Sequence, residues 1–404
     1  MKGKTIALII VLIAIAGSIY YLESGKASSS AQQPNTRNIQ NNANNQQAPN
    51  TDENQQGDRQ TASSYQKWEL SLTAEDRKRI AEKERQYLKV PELEGIAGYL
   101  NAEPGFKISD FRGKVVLVDF WTYTCINCIR TLPYLTEWDN KYRDEGLVII
   151  GVHTPEFEFE KEYDNVKMAV ERYGINYRVV QDNGYATWKA FRNRFWPRKY
   201  LVDADGFIRY DHIGEGAYTE TERMIQSLLI EQGVHLDNMS TTKLEDKTPR
   251  RELTPELYAG YGFALERGQD IGNPEGLQPG KTADYALNGQ LVNDVVYLDG
   301  KWQSNEDNLE AKGDNTSIML VFTSSSANIV ALGQATPLKL FVEIDGQPIS
   351  RDQAGDDVVI ENGKSYALIT EPRLYNVVNG DYGHYLLTLT PERGGFAFSA
   401  FTFG

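Results

Sequence analysis

The sequence predicts an α/β domain followed by an all-β domain, and three observations carry that expectation. The run "GKVVLVDFW" (113–121) has β-branched residues on both faces, the pattern of a strand buried on both sides. Strand-like and helix-like patterns then alternate to about residue 234, as in a compact α/β unit. Beyond about residue 250 the helical periodicity gives way to short alternating apolar runs separated by Gly-containing turn signals. A chain of 404 residues has room for two or three domains. Its net charge of −14 excludes the basic footprint of a nucleic-acid binder.

The elements follow in order. Lys2 and Lys4 precede an uncharged stretch from Thr5 to Leu22, long enough as a helix to span roughly 27 Å. Residues 1–22 are expected to be an uncleaved membrane anchor, with a cleaved signal peptide as the alternative. The lysines keep the N-terminus cytoplasmic and send the rest outward, to the extracytoplasmic face of a bacterial cell membrane. Residues 23–65 are rich in Gln, Asn and Ser and read as a flexible linker. Residues 66–88 read as a charged helix, with Thr73 as an N-cap and Asp76 three positions on.

Residues 89–234 hold the chemistry. Both cysteines of the chain lie in "WTYTCINCIR" (121–130). A C-x-x-C reads as redox chemistry or as half of a metal site. A zinc site needs about four ligands, and no second pair exists. Haem attachment needs His after the second cysteine, where Ile129 stands. A structural bridge over so short a loop stabilises little. Redox exchange is left, with no metal and no cofactor expected.

Behind the cysteines, Ile129, Leu132, Leu135 and Trp138 have helical spacing, so Cys125 falls at the start of a helix that follows a strand. Unpaired helix N–H groups favour a thiolate there, which makes Cys125 the attacking sulfur and Cys128, one turn in, the shielded resolving thiol. Asp119 lies six residues upstream on the strand, where a carboxyl behind the sulfurs can move a proton to or from Cys128; the alternative is a side chain at the strand end in solvent. Trp121, Tyr123, Thr124 and Trp196 are candidate client contacts, with core packing as the alternative for the aromatics. His153 reads as a structural histidine, with tuning of the site by pH as the alternative. Pro197 opens a strand in "FWPRKYLVD", and a hairpin is expected around Asp205–Gly206.

The block "VVLVDFWTYTCINCIRTLPYL", with Pro133 five residues past the second cysteine, resembles a thioredoxin-fold active site. With "FWPRKYLVDADG" and "GVHTPEFEFE" it is similar to the membrane-associated thiol–disulfide oxidoreductases of the TlpA/ResA and DipZ type. The resemblance implies a thioredoxin-like domain, a cis peptide bond before Pro197, a buried acid at Asp119, client proteins carrying disulfides, and electrons supplied by a CcdA-type membrane partner. Tyr123, Thr124 and the intervening Ile-Asn depart from the thioredoxin pattern and leave the redox direction open.

A linker over 235–252 leads to the β-rich region, 253–404. Runs such as "SIMLVFT", "LKLFVEI", "LYNVV" and "YLLTLT" lie between Asp299–Gly300, Asp345–Gly346, Asn362–Gly363, Asn379–Gly380 and Gly394–Gly395, each read as a turn. The expected fold is an antiparallel sandwich or jelly roll. "ELYAGYGFA" (256–264) and the ending "FTFG" resemble the C-terminal domain of DipZ-type proteins, which is similar to carbohydrate-binding modules. That implies glycan or partner binding, with Tyr258, Tyr261 or Trp302 as stacking faces. The expected function is thus a membrane-tethered extracytoplasmic thiol–disulfide oxidoreductase, with reduction of clients favoured. The alternatives are a disulfide-forming oxidant and a cell-envelope binding protein with a vestigial redox fold.

Overall fold

Seven all-buried residues, Val115–Trp121 (β2), form the middle of a six-stranded sheet in a computed structural model that describes residues 64–236, 239–333 and 335–404. The expected anchor and nearly all of the 23–65 linker lie outside the described residues. Among the described residues no helix is long and apolar enough to cross a membrane.

Two helices, Ser64–Ser71 and Ala74–Lys83, replace the single helix expected over 66–88. The break falls at Thr73 because Thr73 and Asp76 close a reciprocal capping box, which starts a new helix. The second helix is tied to the α/β unit by ion pairs. Lys83 Nζ lies 2.8 Å from both Asp203 and Asp205, and Arg79 reaches Asp205 at 2.9 Å.

The sheet runs in the order β1 (Gly98–Leu100), β4 (Arg178–Gln181), β3 (Leu147–His153), β2, β5 (Arg198–Val202), β6 (Ile208–Ile213). Strands β2, β3 and β4 are parallel, while β5 and β6 are antiparallel and joined through the Asp205–Gly206 turn. Period-two alternation sorts β2 between two cores. Val116, Val118 and Phe120 face Ile150, Phe191 and Tyr200. Leu117 and Trp121 face Leu132, Leu135 and Trp138 of the helix Ile126–Tyr142. Asp119 is in the second set by parity, so its carboxyl points to the face that this helix covers.

The β-rich region is a single hydrogen-bonded sheet of eleven strands, from Leu257–Tyr258 (β7) to Ala397–Phe403 (β17), rather than the two separate sheets of the expected sandwich. Strand β11 (Ser317–Ala331) is long enough to bend. Its start pairs with β9 (Val296–Ser304) and its end with β17 (Ala397–Phe403). Strand β10 (Leu309–Ala311) joins β17 to β9, which closes a small barrel. Strand β16 (Arg373–Pro391) pairs along β11 and carries β12 (Leu338–Ile344), β15 (Lys364–Ile369) and β14 (Val358–Glu361) outward. Two expected turns are strand interior: Asp299–Gly300 lies in β9, and Asn379–Gly380 lies in β16 where the ladder with β11 bulges. A bulge takes up the irregular backbone that the dipeptide favours, and the strand continues.

The two parts pack on each other. Ile126, Ile129 and Phe159 lie against the β-region core, and Phe157 is part of it, with its ring edge-on to Phe263 at 5.7 Å.

Candidate active site

The site is built where β2 ends and the helix Ile126–Tyr142 begins. Cys125 is the N-cap residue, half-buried, and its Sγ accepts a hydrogen bond from the Cys128 N–H at 3.3 Å. The sulfur therefore sits at the unpaired N–H groups that open a 17-residue helix. Cys128 is 1% exposed on the inner side of the first turn. Burial, with the neighbouring Cys125 sulfur, pushes its thiol well above the ordinary range, so it is held protonated.

Under the two sulfurs lies a buried charge arrangement. Asp119 is flanked in register by Gly151 on β3 and Lys199 on β5. Its Oδ1 has no hydrogen-bond partner among the described residues, and burial raises its carboxyl to about 7, opposed by the charge of Lys199. Lys199 is itself buried, its Nζ donates to the Gly214 carbonyl at 3.0 Å, and burial lowers its ammonium. Gly151 is required here, because a Cβ would come within 2.9 Å of the Trp121 indole nitrogen.

The loop between the strand and Cys125 is locked rather than open. Thr124 Oγ1 donates to Glu160 at 2.6 Å, and Glu160 also accepts from the Glu156 and Phe157 backbone N–H groups. Burial raises the Glu160 carboxyl against these hydrogen bonds. His153 is fully buried, stacks on Tyr123 and lies 3.3 Å from Thr122 Oγ1. Burial lowers it to about 3, so it stays neutral and pH tuning of the site by His153 is set aside. Trp121, Tyr123 and Thr124 are at most 3% exposed and pack beneath the site.

Beyond Cys125 an open cleft of about 300 Å³ lies between the two parts of the chain. Trp196, Phe195 and Arg194 line one side; Thr254, Tyr258, Arg267 and Phe403 line the other. The Trp196–Pro197 bond is cis, and Trp196 Nε1 donates to the Thr154 carbonyl at 3.1 Å. Tyr258 ties the walls together, since its hydroxyl lies 2.7 Å from Glu156 and 3.0 Å from Glu256. A phenol donates one hydrogen bond, so the second short contact requires a proton on one of the two carboxyls. Burial raises both carboxyls accordingly.

Of the residues singled out in the sequence, Cys125 and Trp196 line the cleft, Cys128 is buried with Asp119 nearby, and Pro197 follows Trp196 in the chain. Trp302 and Tyr258 are buried, so the expected sugar-stacking faces are absent at both; Trp302 Nε1 donates inward to the Asp299 carbonyl. Sequence reasoning missed Lys199, Glu160 and the wall supplied by the β region. A lysine inside an otherwise apolar strand was the available sign for the first. The others depend on packing between residues far apart in the chain.

A dithiol with its outer sulfur at a helix start and its partner buried near a raised carboxyl, on a β1-β4-β3-β2-β5-β6 sheet, defines a thioredoxin-like domain carrying a C-x-x-C pair. Comparison with known proteins agrees. Residues 91–228 match the Redoxin family and residues 254–404 match the family described as Thioredoxin like C-terminal domain. The chain is 38% identical over 320 residues to Protein DipZ of Mycobacterium tuberculosis, covering 78% of this chain and 42% of that protein. It thus spans less than half the length of that relative. It is 28% identical to thiol-disulfide oxidoreductase YkuV of Bacillus subtilis over 35% of this chain and 95% of that one. It is also 28% identical to thiol-disulfide oxidoreductase ResA of Bacillus thuringiensis, over 39% of this chain and 83% of that one. The chain is thus similar to proteins of the ResA and DipZ type, and its β domain matches the C-terminal family named above.

Proposed function

We propose that the chain reduces disulfides in client proteins by dithiol exchange at Cys125 and Cys128. The observation that carries this reading is the asymmetry of the pair: Cys125 opens into the cleft, while Cys128 is buried, near enough to Asp119 to feel its charge. The Cys125 thiolate attacks one sulfur of a client disulfide, a Cys125–client bond forms, and the other client sulfur leaves as a thiolate that takes a proton from water. Cys128 then gives its proton to Asp119 and attacks the Cys125 sulfur. The client leaves reduced by two electrons, and the Cys125–Cys128 disulfide remains. An acid near 7 takes up and returns that proton at neutral pH. Trp196, next to Pro197, lines the client side of the cleft.

The proposal divides the chain into an anchor (1–22), a linker (23–65), a charged helical segment (66–88), the redox domain (89–234), a second linker (235–252) and the β domain (253–404). It places the folded domains outside the bacterial cell membrane, with a CcdA-type membrane protein as electron donor. A glycan partner for the β domain rests on resemblance alone, since Trp302 and Tyr258 offer no open face.

Insulin reduction driven by dithiothreitol tests the reading. Wild type is expected to accelerate it and Cys125→Ser to be inert; equal rates for the two would sink the redox function. The potential of the couple fixes the direction. A value near that of thioredoxin, about −270 mV, is expected, and one near that of DsbA, about −120 mV, would make the chain an oxidant.

A further inference from the structure

We infer that the Cys125 cleft and the larger cavity beside it form one groove between the domains, which binds an extended polypeptide segment of the client on both sides of its reactive cysteine. The inference rests on the redox reading above and specifies the client class.

Two walls run through both spaces. Ile126, the residue after the attacking cysteine, lines the cleft of about 300 Å³ and also the neighbouring cavity of about 600 Å³. The end of β17 does the same: Thr402 and Phe403 line the cleft and Gly404 lines the cavity. A chain joined through sulfur to Cys125 extends from that sulfur in two directions. One passes Trp196 and Arg194, and the other passes Ile126 into the cavity.

The cavity walls suit a peptide backbone. Arg130 is held by Glu215 through two hydrogen bonds of 2.7 and 2.8 Å, and Arg373 pairs with Asp357 at 2.6 Å. Those cations, like Arg172 beside Glu371, are already paired with carboxylates and do not themselves call for an anionic ligand. Asn328 and Asn376 hydrogen-bond each other and neighbouring groups, so they make this wall neutral and polar, and Asn379 lies exposed beside them. The β domain thereby supplies half of the client site and selects segments that can lie extended, such as loops and incompletely folded chains. A small disulfide fills the cleft alone and gains nothing from the cavity.

The test uses the full chain, reduced beforehand, in single turnover. One substrate is cysteine in mixed disulfide with thionitrobenzoate; the other is a neutral peptide of about twelve residues with a central cysteine in the same disulfide, long enough when extended to reach past the cleft. In each case Cys125 attacks and coloured thionitrobenzoate leaves. Wild type is expected to favour the peptide about tenfold in kcat/KM, a step of ~1.4 kcal/mol. Asn379→Trp and Lys247→Trp, both at exposed positions on the cavity wall, are each expected to abolish that preference and keep the small-substrate rate, which also reports intact folding. Equal rates for the two substrates in wild type, or a preference that survives both substitutions, would overturn the groove while leaving the redox reading in place. Inertness toward both substrates would overturn the redox reading and the groove with it.

Discussion

Replacing Asp119 with Asn is expected to remove a pH-dependent loss of stability and to slow the resolving step. Burial raises this carboxyl from 3.8 to about 7. The folded chain therefore holds a proton that the unfolded chain has released between those values. Stability falls as pH rises through that window, and the loss is complete above about pH 7. At 1.36 kcal/mol for each unit, a rise of about three units corresponds to about 4 kcal/mol, an upper figure for a site that relaxes on ionisation. Below about pH 4 the group is protonated in both states and costs nothing. Asn at 119 cannot ionise, so the difference between variant and wild type should grow from pH 4.5 to pH 8 by up to about 3 kcal/mol, the part of that window lying above pH 4.5. The amide carries its own pH-independent cost of about 1–3 kcal/mol as an unpaired buried group, so the change with pH decides the matter and the absolute difference does not. Urea unfolding of the reduced protein, followed by the fluorescence of the buried Trp121 and Trp138, reads it at both pH values. Insulin reduction near pH 7 should fall in the same variant. Parallel pH profiles for the two proteins would refute a buried, proton-exchanging Asp119.

Three further outcomes are expected. Cys128→Ser should trap a client in a mixed disulfide at Cys125, visible as a covalent adduct by mass spectrometry; release of the client as fast as from wild type would contradict the resolving role. His153, held neutral by burial down to about 3, costs stability as pH falls from 6.5, so His153→Asn should lose that acid limb of the stability profile in urea titrations between pH 7 and 4. Arg130→Ala leaves Glu215 largely buried without its partner and should cost about 3–5 kcal/mol in the same unfolding assay, more than the 0–1 kcal/mol of an exposed pair.

What could be read in the sequence was what is local. The strand, the C-x-x-C and the helical spacing after it all lie within about thirty residues, and the strand–helix junction that puts Cys125 at a helix start follows from them directly. Asp119 could be placed on a buried strand, and its face follows from period two. Lys199 could not be placed, because it meets Asp119 only through the antiparallel pairing of β5 with β2, eighty residues on. Tyr123 and Thr124 looked like surface residues beside the cysteines. They are interior because His153, at the end of the next strand, and Glu160, beyond it, pack over them. In the β domain, alternation identified the strands but not their lengths. Asn379–Gly380 carries turn chemistry and yet sits in a bulge, so two short strands in the reading are one long strand in the structure. Length is what lets β11 bend and close the sheet. The β-domain wall of the cleft depends on the docking of two domains, which no local pattern encodes.

The account turns on the inequality of two sulfurs three residues apart. Brief alkylation of the reduced, folded chain by iodoacetamide at pH 7, mapped by mass spectrometry, measures it directly. Cys125 is expected to be modified first, with Cys128 protected until the chain is unfolded. Equal labelling of the two, or Cys128 labelled ahead of Cys125, would contradict it.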